Sequence, residues 1–222
     1  MEQRRYLGAG TMSGNFLVAF ATFFATVGVA DIAFIFAGLT RSNTAKQRFV
    51  FASRGVLIAS GILLFFAFAG NAILEIFGIT LPALRVAGGI LLLLIAIDMV
   101  FARHSGATGT TSEEEAEGMS RTDISVFPLA MPLLAGAGSI SAVILLTTGA
   151  RTDLEFWIVI VALVATMALA WLALLVAIPI QRVLGLTGMS VVSRVVGILL
   201  TALAVQFVFD GISTSGILGG SS

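Results

Sequence analysis

Few residues of this 222-residue chain offer polar chemistry inside its apolar stretches. Asp31 is the most prominent, because "TVGVADIAFIFAGLT" (residues 26 to 40) is the far half of a hydrophobic run without a positive charge. A second stretch, "LLAGAGSIS" (residues 133 to 141), places Ser139 and Ser141 just after two glycines. A carboxylate and two hydroxyls suit the recognition of a polar solute or the carriage of a proton.

Covalent and metal chemistry find little support in the sequence. The chain has no Ser/His/Asp, HExxH or Walker-type arrangement, a single histidine (His104) and no cysteine. The acidic cluster of the middle region is interpreted as a solvated loop rather than a metal or regulatory site; it consists of Glu113, Glu114, Glu115 and Glu117. We therefore expect a protein that is not an enzyme and holds no metal or other cofactor.

The composition indicates that the solvent around most of the chain is lipid. Hydrophobic residues make up 58% of the sequence and charged residues 11%, with a mean hydropathy of +1.08. Soluble domains usually have about a quarter of their residues charged. Because 12 basic residues balance 12 acidic ones, the net charge gives no attraction to nucleic acid. The sequence predicts an integral membrane protein whose first partner is the lipid bilayer.

Six apolar stretches are candidate transmembrane helices, since about 20 apolar residues cross a bilayer. They cover residues 16–39, 55–77, 81–101, 124–146, 156–180 and 191–208. The polar, acidic segment 103–122 reads as a flexible linker. The predicted domains are a three-helix unit at 1–102, this linker, a second three-helix unit at 123–212 and a flexible tail at 213–222.

An internal repeat relates the two halves. "RVAGGILLLLIAIDMVF" (85–101) matches "RVVGILLTALAVQFVF" (194–209), and Gly28 falls opposite Gly136. Because each half has three spans, the halves would have opposite orientations. The predicted fold is therefore an all-α membrane protein of six transmembrane helices in two inverted three-helix repeats. Secondary transporters commonly use this plan, with the substrate bound at the repeat interface.

The first and fourth helices are candidates for a break near the membrane midplane. Glycine lowers helix propensity by about 1 kcal/mol relative to alanine, and broken helices would present free N–H groups to an anionic ligand. Unbroken helices packed through small residues fit the same spacing equally well. The candidate substrate-binding residues are Thr26, Gly28, Val29, Ala30, Asp31, Gly136, Ala137, Gly138, Ser139 and Ser141.

Three interpretations of Asp31 stay open at this stage. A charged aspartate inside a span costs at least about 2.5–3.5 kcal/mol, so it needs a partner or a hydrated cavity. The first interpretation is an ion pair with Arg85 or Arg194, near the starts of the third and sixth spans. The second is a protonated Asp31 that carries protons. The third is a shallow aspartate beside a bend, without a role in transport.

The distribution of basic residues predicts the orientation. An external N-terminus would place seven of them inside (Arg41, Lys46, Arg48, Arg54, Arg103, Arg121 and Arg182) and three outside (Arg4, Arg5 and Arg151). Basic residues concentrate on the cytoplasmic side of membrane proteins. Both termini are therefore predicted to be periplasmic.

Three segments together resemble the MarC family of bacterial inner-membrane proteins. They are "LPALRVAGGILLLLIAIDMVF", "DISVFPLAMPLLAGAGSIS" and "GILLTALAVQFVFDGI", and the likeness covers about residues 16 to 212. The resemblance implies six spans in two inverted halves and a place in the LysE-like transporter group. It also implies transport of small neutral amino acids such as glycine and alanine, which some members are described as carrying out.

The chain departs from the family pattern at both candidate breaks. Members commonly have Asp-Pro-x-Gly where this chain has residues 28 to 31, a further proline at Phe34, and Gly-Pro-Gly where this chain has Gly136, Ala137 and Gly138. The aspartate therefore stands three positions later, at Asp31, and the prolines that open both helices are missing. Their loss favours a continuous first helix, because proline removes a backbone hydrogen bond.

Two hypotheses of function follow from the sequence. The leading one is a secondary transporter of a small solute, plausible substrates being glycine and alanine, with coupling to a proton or to sodium. The alternative is a non-transporting membrane protein that packs against a partner or against further copies of itself in a homo-oligomer.

Overall fold

The computed structural model of the chain describes residues 12–40, 43–101 and 123–216, and this part contains eight helices and no strand. The helices are α1 Met12–Val27, α2 Val29–Leu39, α3 Ala45–Phe77, α4 Leu81–Phe101, α5 Ser125–Leu134, α6 Ala137–Thr148, α7 Asp153–Leu175 and α8 Ala177–Thr214. The predicted linker, its acidic cluster and most of the predicted tail lie outside the described residues.

Five helical segments of the described chain are long and apolar enough to cross a membrane. They are Gly14–Leu39, Ala45–Phe77, Leu81–Phe101, Asp153–Leu175 and Ser190–Thr214. The pair α5 and α6, bent by 54° across a short break, supplies a sixth if it is counted as one span. The prediction of an all-α membrane protein is confirmed, with five spans or six according to how this pair is counted.

Local capping explains where α3 begins and ends. Thr44 and Gln47 form a capping box, in which the Gln47 N–H donates to the Thr44 hydroxyl at 3.3 Å and the Thr44 N–H donates to Gln47 Oε1 at 2.9 Å. The helix ends at Gly78, whose φ of 64° lies in the left-handed region. The helix therefore starts ten residues before the apolar stretch that predicted it, because the cap rather than hydrophobicity sets its N-terminus.

The C-terminal helices differ from the predicted spans. The fifth span was expected to run to residue 180, but α7 ends at Leu175 and Val176 separates it from α8. Helix α8 then continues for 38 residues, so the segment between the predicted fifth and sixth spans is itself helical. Apolar periodicity does not show where one of two consecutive helices ends, because both continue the same pattern.

Helices α4 and α8 pack antiparallel and in backbone contact through glycines. A Cβ at Gly89 would lie 2.7 Å from the Ala204 carbonyl oxygen, and one at Gly211 would lie 2.9 Å from the Pro82 carbonyl oxygen. At the opposite end of the pair, a Cβ at Gly197 would lie 2.9 Å from the Met99 Cβ. Small residues allow such close approach where dispersion and backbone contact, rather than water exclusion, drive helix association.

The remaining contacts surround this pair. Helices α1 and α2 pack against α7, and α3 packs against α5 and α6. Helix α2 also contacts α8, α4 contacts α6, and α1 contacts α6. The buried core lies mainly between the first span, α3, α5, α6 and α7, with Phe23, Phe36 and Leu63 among its fully enclosed side chains.

The entry to α5 is held by Asp123. Its Oδ1 accepts the Ser125 N–H at 2.9 Å, and its Oδ2 lies 3.5 Å from Arg54 Nη1 on α3. The Ser125 N–H and the Arg54 guanidinium hold the pKa of Asp123 below its usual 3.8. The contact ties the start of α5 to the side of α3, close to where Gly55 packs against Leu129.

We expect Asp123→Asn to lower the unfolding temperature of the chain at neutral pH but not in strong acid. A carboxylate whose pKa is lower in the folded state adds stability above its unfolded pKa, and this stability is lost as the pH falls through the folded value. Because both side chains are largely exposed, the effect should stay below about 1 kcal/mol. Thermal unfolding in detergent from about pH 6 to about pH 2 measures it. A difference from the parent that stays constant over this range contradicts the prediction.

Candidate functional site

The first span is interrupted at Gly28. This residue has φ 65° and ψ 44°, a left-handed conformation that ends α1 at Val27 and starts α2 at Val29. Glycine adopts it without the steric cost that a Cβ would bring. The interruption occurs although the prolines typical of the family are absent, so of the two alternatives that the sequence left open the structure has the broken helix at this residue. The bend is modest, because Gly14–Leu39 still qualifies as one span.

The interruption places Asp31 in the first turn of α2. A carboxylate is favourable there because the first N–H groups of a helix carry partial positive charge. Its Oδ2 lies on the Gly28 side, 4.0 Å from where a Cβ of Gly28 would be. The side chain is partly buried. The position therefore supplies part of the stabilisation that an ionised aspartate needs inside a span.

The fourth span is interrupted more strongly. Phe127 and Met131 have extended backbones, as residues before proline commonly do, and they divide α5 into short irregular turns. Helix α5 ends at Leu134 and α6 begins at Ala137, with the 54° bend between them. Gly136 is required at this corner, because a Cβ there would lie 2.6 Å from the Pro132 carbonyl oxygen. The candidate break in the fourth span is therefore present, with Pro128 and Pro132 just upstream of it.

The two interruptions meet in space. The Ser139 hydroxyl on α6 donates a hydrogen bond of 3.1 Å to the backbone carbonyl of Thr26, two residues before Gly28. Ser139 is buried, and the Thr26 hydroxyl donates to the Thr22 carbonyl of its own helix at 2.9 Å. The N-terminus of α6 thus lies beside the end of α1, two residues before the Gly28 interruption, as expected if both segments line one site.

Asp31 receives a second contact that the sequence did not predict. The hydroxyl of Ser193, a buried residue of α8, donates a hydrogen bond to Asp31 Oδ1. Sequence reasoning had selected the neighbouring Arg194 instead, because a charge in an apolar stretch is the stronger signal. The weaker signal was a lone serine in "VVSRVVG", one turn before Gly197.

The other predicted binding residues differ in exposure. Val29 and Gly138 are buried, and Gly138 is covered by the Ile95 side chain of α4. Ala30, Gly136 and Ser141 are partly buried, and Ala137 is exposed. The start of α6 is therefore unevenly exposed. Its first residue, Ala137, is exposed, whereas Gly138 and Ser139 are buried.

Neither predicted arginine pairs with Asp31. Within the described ranges, the one ion pair joins Arg54 and Asp123. Arg85 lies instead at the C-terminal end of α6, its Nη2 3.7 Å from where a Cβ of Gly149 would be, and Arg194 is exposed. A cation at a helix C-terminus is favourable because the last carbonyls carry partial negative charge. Asp31 instead accepts the Ser193 hydroxyl in the first turn of α2.

Side chains that could bind a metal ion are scarce in the described part of the chain. The described ranges contain no group of three or more His, Cys, Asp or Glu side chains placed to share a metal ion. A groove of about 590 Å³ between α4 and α8 is lined by apolar side chains such as Ile97, Phe101 and Ile198, and it lies away from the two breaks. The arrangement at the breaks offers hydrogen bonds, one carboxylate and helix dipoles.

Interrupted apolar helices that bring polar groups together inside a helical bundle define a multi-pass integral membrane protein. A family model described as "MarC family integral membrane protein" matches residues 14–215. The chain belongs to the MarC family, as the resemblance of its three motifs had indicated.

Similar proteins occur in archaea and bacteria. The chain is 37% identical over 197 residues to UPF0056 membrane protein MJ1677 of Methanocaldococcus jannaschii, covering 89% of this chain and 95% of that protein. It is 41% identical over 164 residues to a UPF0056 membrane protein of Aquifex aeolicus, covering 73% and 76%. It is 34% identical over 193 residues to UPF0056 membrane protein YhcE of Escherichia coli, covering 87% and 89%. No solved structure matches the chain.

Proposed function

We propose that this protein is a secondary transporter that carries a small neutral amino acid, such as glycine or alanine, across the plasma membrane. The observation that carries the proposal is the contact between the two interruptions, where the Ser139 hydroxyl meets the Thr26 carbonyl at 3.1 Å. Broken helices that meet inside a bundle are typical of transporter substrate sites. The substrate would bind between the first and fourth spans, at residues 26–31 and 136–141.

The charges of the two half-helices support a zwitterionic substrate. Helix α2 has Asp31 in its first turn, whereas the first turn of α6 contains no acidic residue. The carboxylate of Asp31 suits an ammonium group, and the N–H groups at the start of α6 suit a carboxylate. Because the start of α6 contacts the end of α1 two residues before Gly28, one small amino acid bound at the two interruptions would reach both groups.

The packing of the helices supports two inverted repeats around this site. The two halves correspond if α1 and α2 are matched with α5 and α6, α3 with α7, and α4 with α8. Under this exchange the α1–α7 contact becomes the α3–α5 contact. The same exchange converts the α2–α8 contact into the α4–α6 contact and leaves the α4–α8 pair unchanged. This pattern is expected of a pseudo-two-fold axis in the membrane plane. An orientation with both termini outside, coupling to a proton or sodium, self-association and the lack of enzymatic activity stay predictions.

Uptake into proteoliposomes tests the proposal. We expect the purified chain, reconstituted into liposomes, to accumulate labelled glycine or alanine above the level of protein-free liposomes, and unlabelled substrate to compete with it. Imposed proton and sodium gradients, applied one at a time, identify the coupling ion. No uptake or exchange of these and other small solutes under any gradient contradicts the proposal and favours the packing hypothesis.

Thiol labelling supplies a companion measurement, convenient because the chain contains no cysteine. Ala137→Cys and Ala30→Cys avoid the left-handed Gly28 and lie at the exposed and partly buried starts of α6 and α2. A transport site should react with a membrane-impermeant thiol reagent, and glycine should slow the reaction. Lack of aqueous labelling from both sides of the membrane would favour closed packing instead.

A further inference from the structure

Hydroxyl groups within these helices mostly bond to their own helix. In the described spans, most threonine hydroxyls donate to the backbone carbonyl four residues earlier. This bond satisfies the hydroxyl where water is absent. The pairs with this spacing are Thr22 with Val18, Thr26 with Thr22, Thr40 with Phe36, Thr147 with Val143, Thr148 with Ile144, Thr166 with Ala162, Thr201 with Gly197 and Thr214 with Asp210.

Ser193 differs from this pattern. Its hydroxyl leaves α8 and donates to Asp31 Oδ1 on α2, 162 residues away in the chain. Only 7% of the residue is exposed, so the bond is made away from solvent. A hydrogen bond to a charged acceptor contributes about twice as much as one between neutral groups. The Ser193 hydroxyl therefore donates its proton to one carboxylate oxygen of Asp31.

The helix that carries Ser193 is itself firmly placed. One turn further along α8, Gly197 brings the helix against α4, where a Cβ would lie 3.1 Å from the Ala96 carbonyl oxygen. The serine thus projects from the close-packed α4–α8 pair toward the first turn of α2. With Oδ1 bonded to Ser193, Oδ2 is directed toward Gly28 and the adjoining break.

We propose that Ser193 is a positioning residue for substrate binding, one that orients the Asp31 carboxylate so that Oδ2 faces the ammonium group of the transported amino acid. This inference rests on the proposed function, and it adds α8 to the two spans that were expected to form the site. Without the serine, the carboxylate would rotate among several orientations and would lose part of its preorganisation toward the ammonium group.

The test compares Ser193→Ala, Ser193→Thr and the parent in glycine uptake by proteoliposomes. We expect Ser193→Ala to raise KM about tenfold and to change the maximal rate less than about twofold, the size expected from one hydrogen bond to a charged group. Ser193→Thr keeps the hydroxyl and should restore KM. Thr201→Val, on the same helix with a hydroxyl bonded to its own Gly197 carbonyl, is the matched control and should leave KM unchanged.

A stability cycle provides a readout that does not need transport. Unfolding temperatures of the parent, Ser193→Ala, Asp31→Ala and the double variant report whether the two side chains are coupled. Coupling in this cycle with an unchanged KM for Ser193→Ala would show a purely structural serine and overturn the inference, while the proposed function would stand. A parent chain that transports nothing overturns the proposed function, and the inference with it.

Discussion

Asp31→Asn is expected to abolish most glycine uptake while leaving the protein folded. Asparagine has the same shape as aspartate and still accepts the Ser193 hydroxyl, but it offers no negative charge to an ammonium group. A hydrogen bond to a charged group contributes about 1.5–3 kcal/mol, so the ratio of maximal rate to KM should fall roughly 10- to 150-fold. Uptake of labelled glycine into proteoliposomes, normalised to the amount of inserted protein, measures the loss.

The matched control for this prediction is Asp210→Asn. Asp210 lies near the end of α8, where its carboxylate accepts the Gln206 amide at 2.8 Å, far along the helix from Ser193. Its replacement should leave uptake at the parent level. Parent-like uptake by Asp31→Asn would exclude this carboxylate as the ammonium partner. Equal losses in both variants would indicate a general effect of removing a charge.

The sequence predicted the helices and identified the two interruptions as candidates, because each has a local cause. Apolar stretches of about 20 residues predict spans irrespective of their neighbours. The candidate break at Gly136 rested on the weak helix propensity of two glycines, and the structure adds the extended residues before Pro128 and Pro132 just upstream. Gly28 was harder, because the family's prolines are missing there. Its left-handed conformation shows that a glycine alone is sufficient to divide the first span.

The partners of Asp31 could not be predicted from the sequence, because they depend on how the helices pack. Arg85 and Arg194 were the obvious candidates by charge, but the long side chains of arginine allow their guanidinium groups to lie at helix ends or in exposed positions. The Arg85 guanidinium lies at the end of α6 for this reason. Ser193 has no distinguishing local pattern, and its role depends on which face of α8 is turned toward α2. That face is set by glycine contacts with α4.

The largest effect on stability is expected for Gly89→Ala, because Gly89 makes one of these contacts between α4 and α8. A methyl group at this position would lie 2.7 Å from the Ala204 carbonyl oxygen and 3.1 Å from the Val208 backbone nitrogen. Neither neighbour is able to rotate away, so α4 and α8 would have to separate. Overpacking of this kind costs about 1–3 kcal/mol. For a chain of this size, the unfolding temperature in detergent should fall by roughly 2–12 °C.

Gly61→Ala distinguishes crowding from a general response to alanine. Gly61 lies in α3 with nothing within 4 Å of the position that a Cβ would take. Replacing an unconstrained helical glycine by alanine stabilises by about 0.4–1 kcal/mol, so this variant should unfold at the parent temperature or slightly above it. If Gly89→Ala behaves in the same way, α4 and α8 do not touch through their backbones. The placement of Ser193 beside Asp31, which depends on that contact, would then have to be given up.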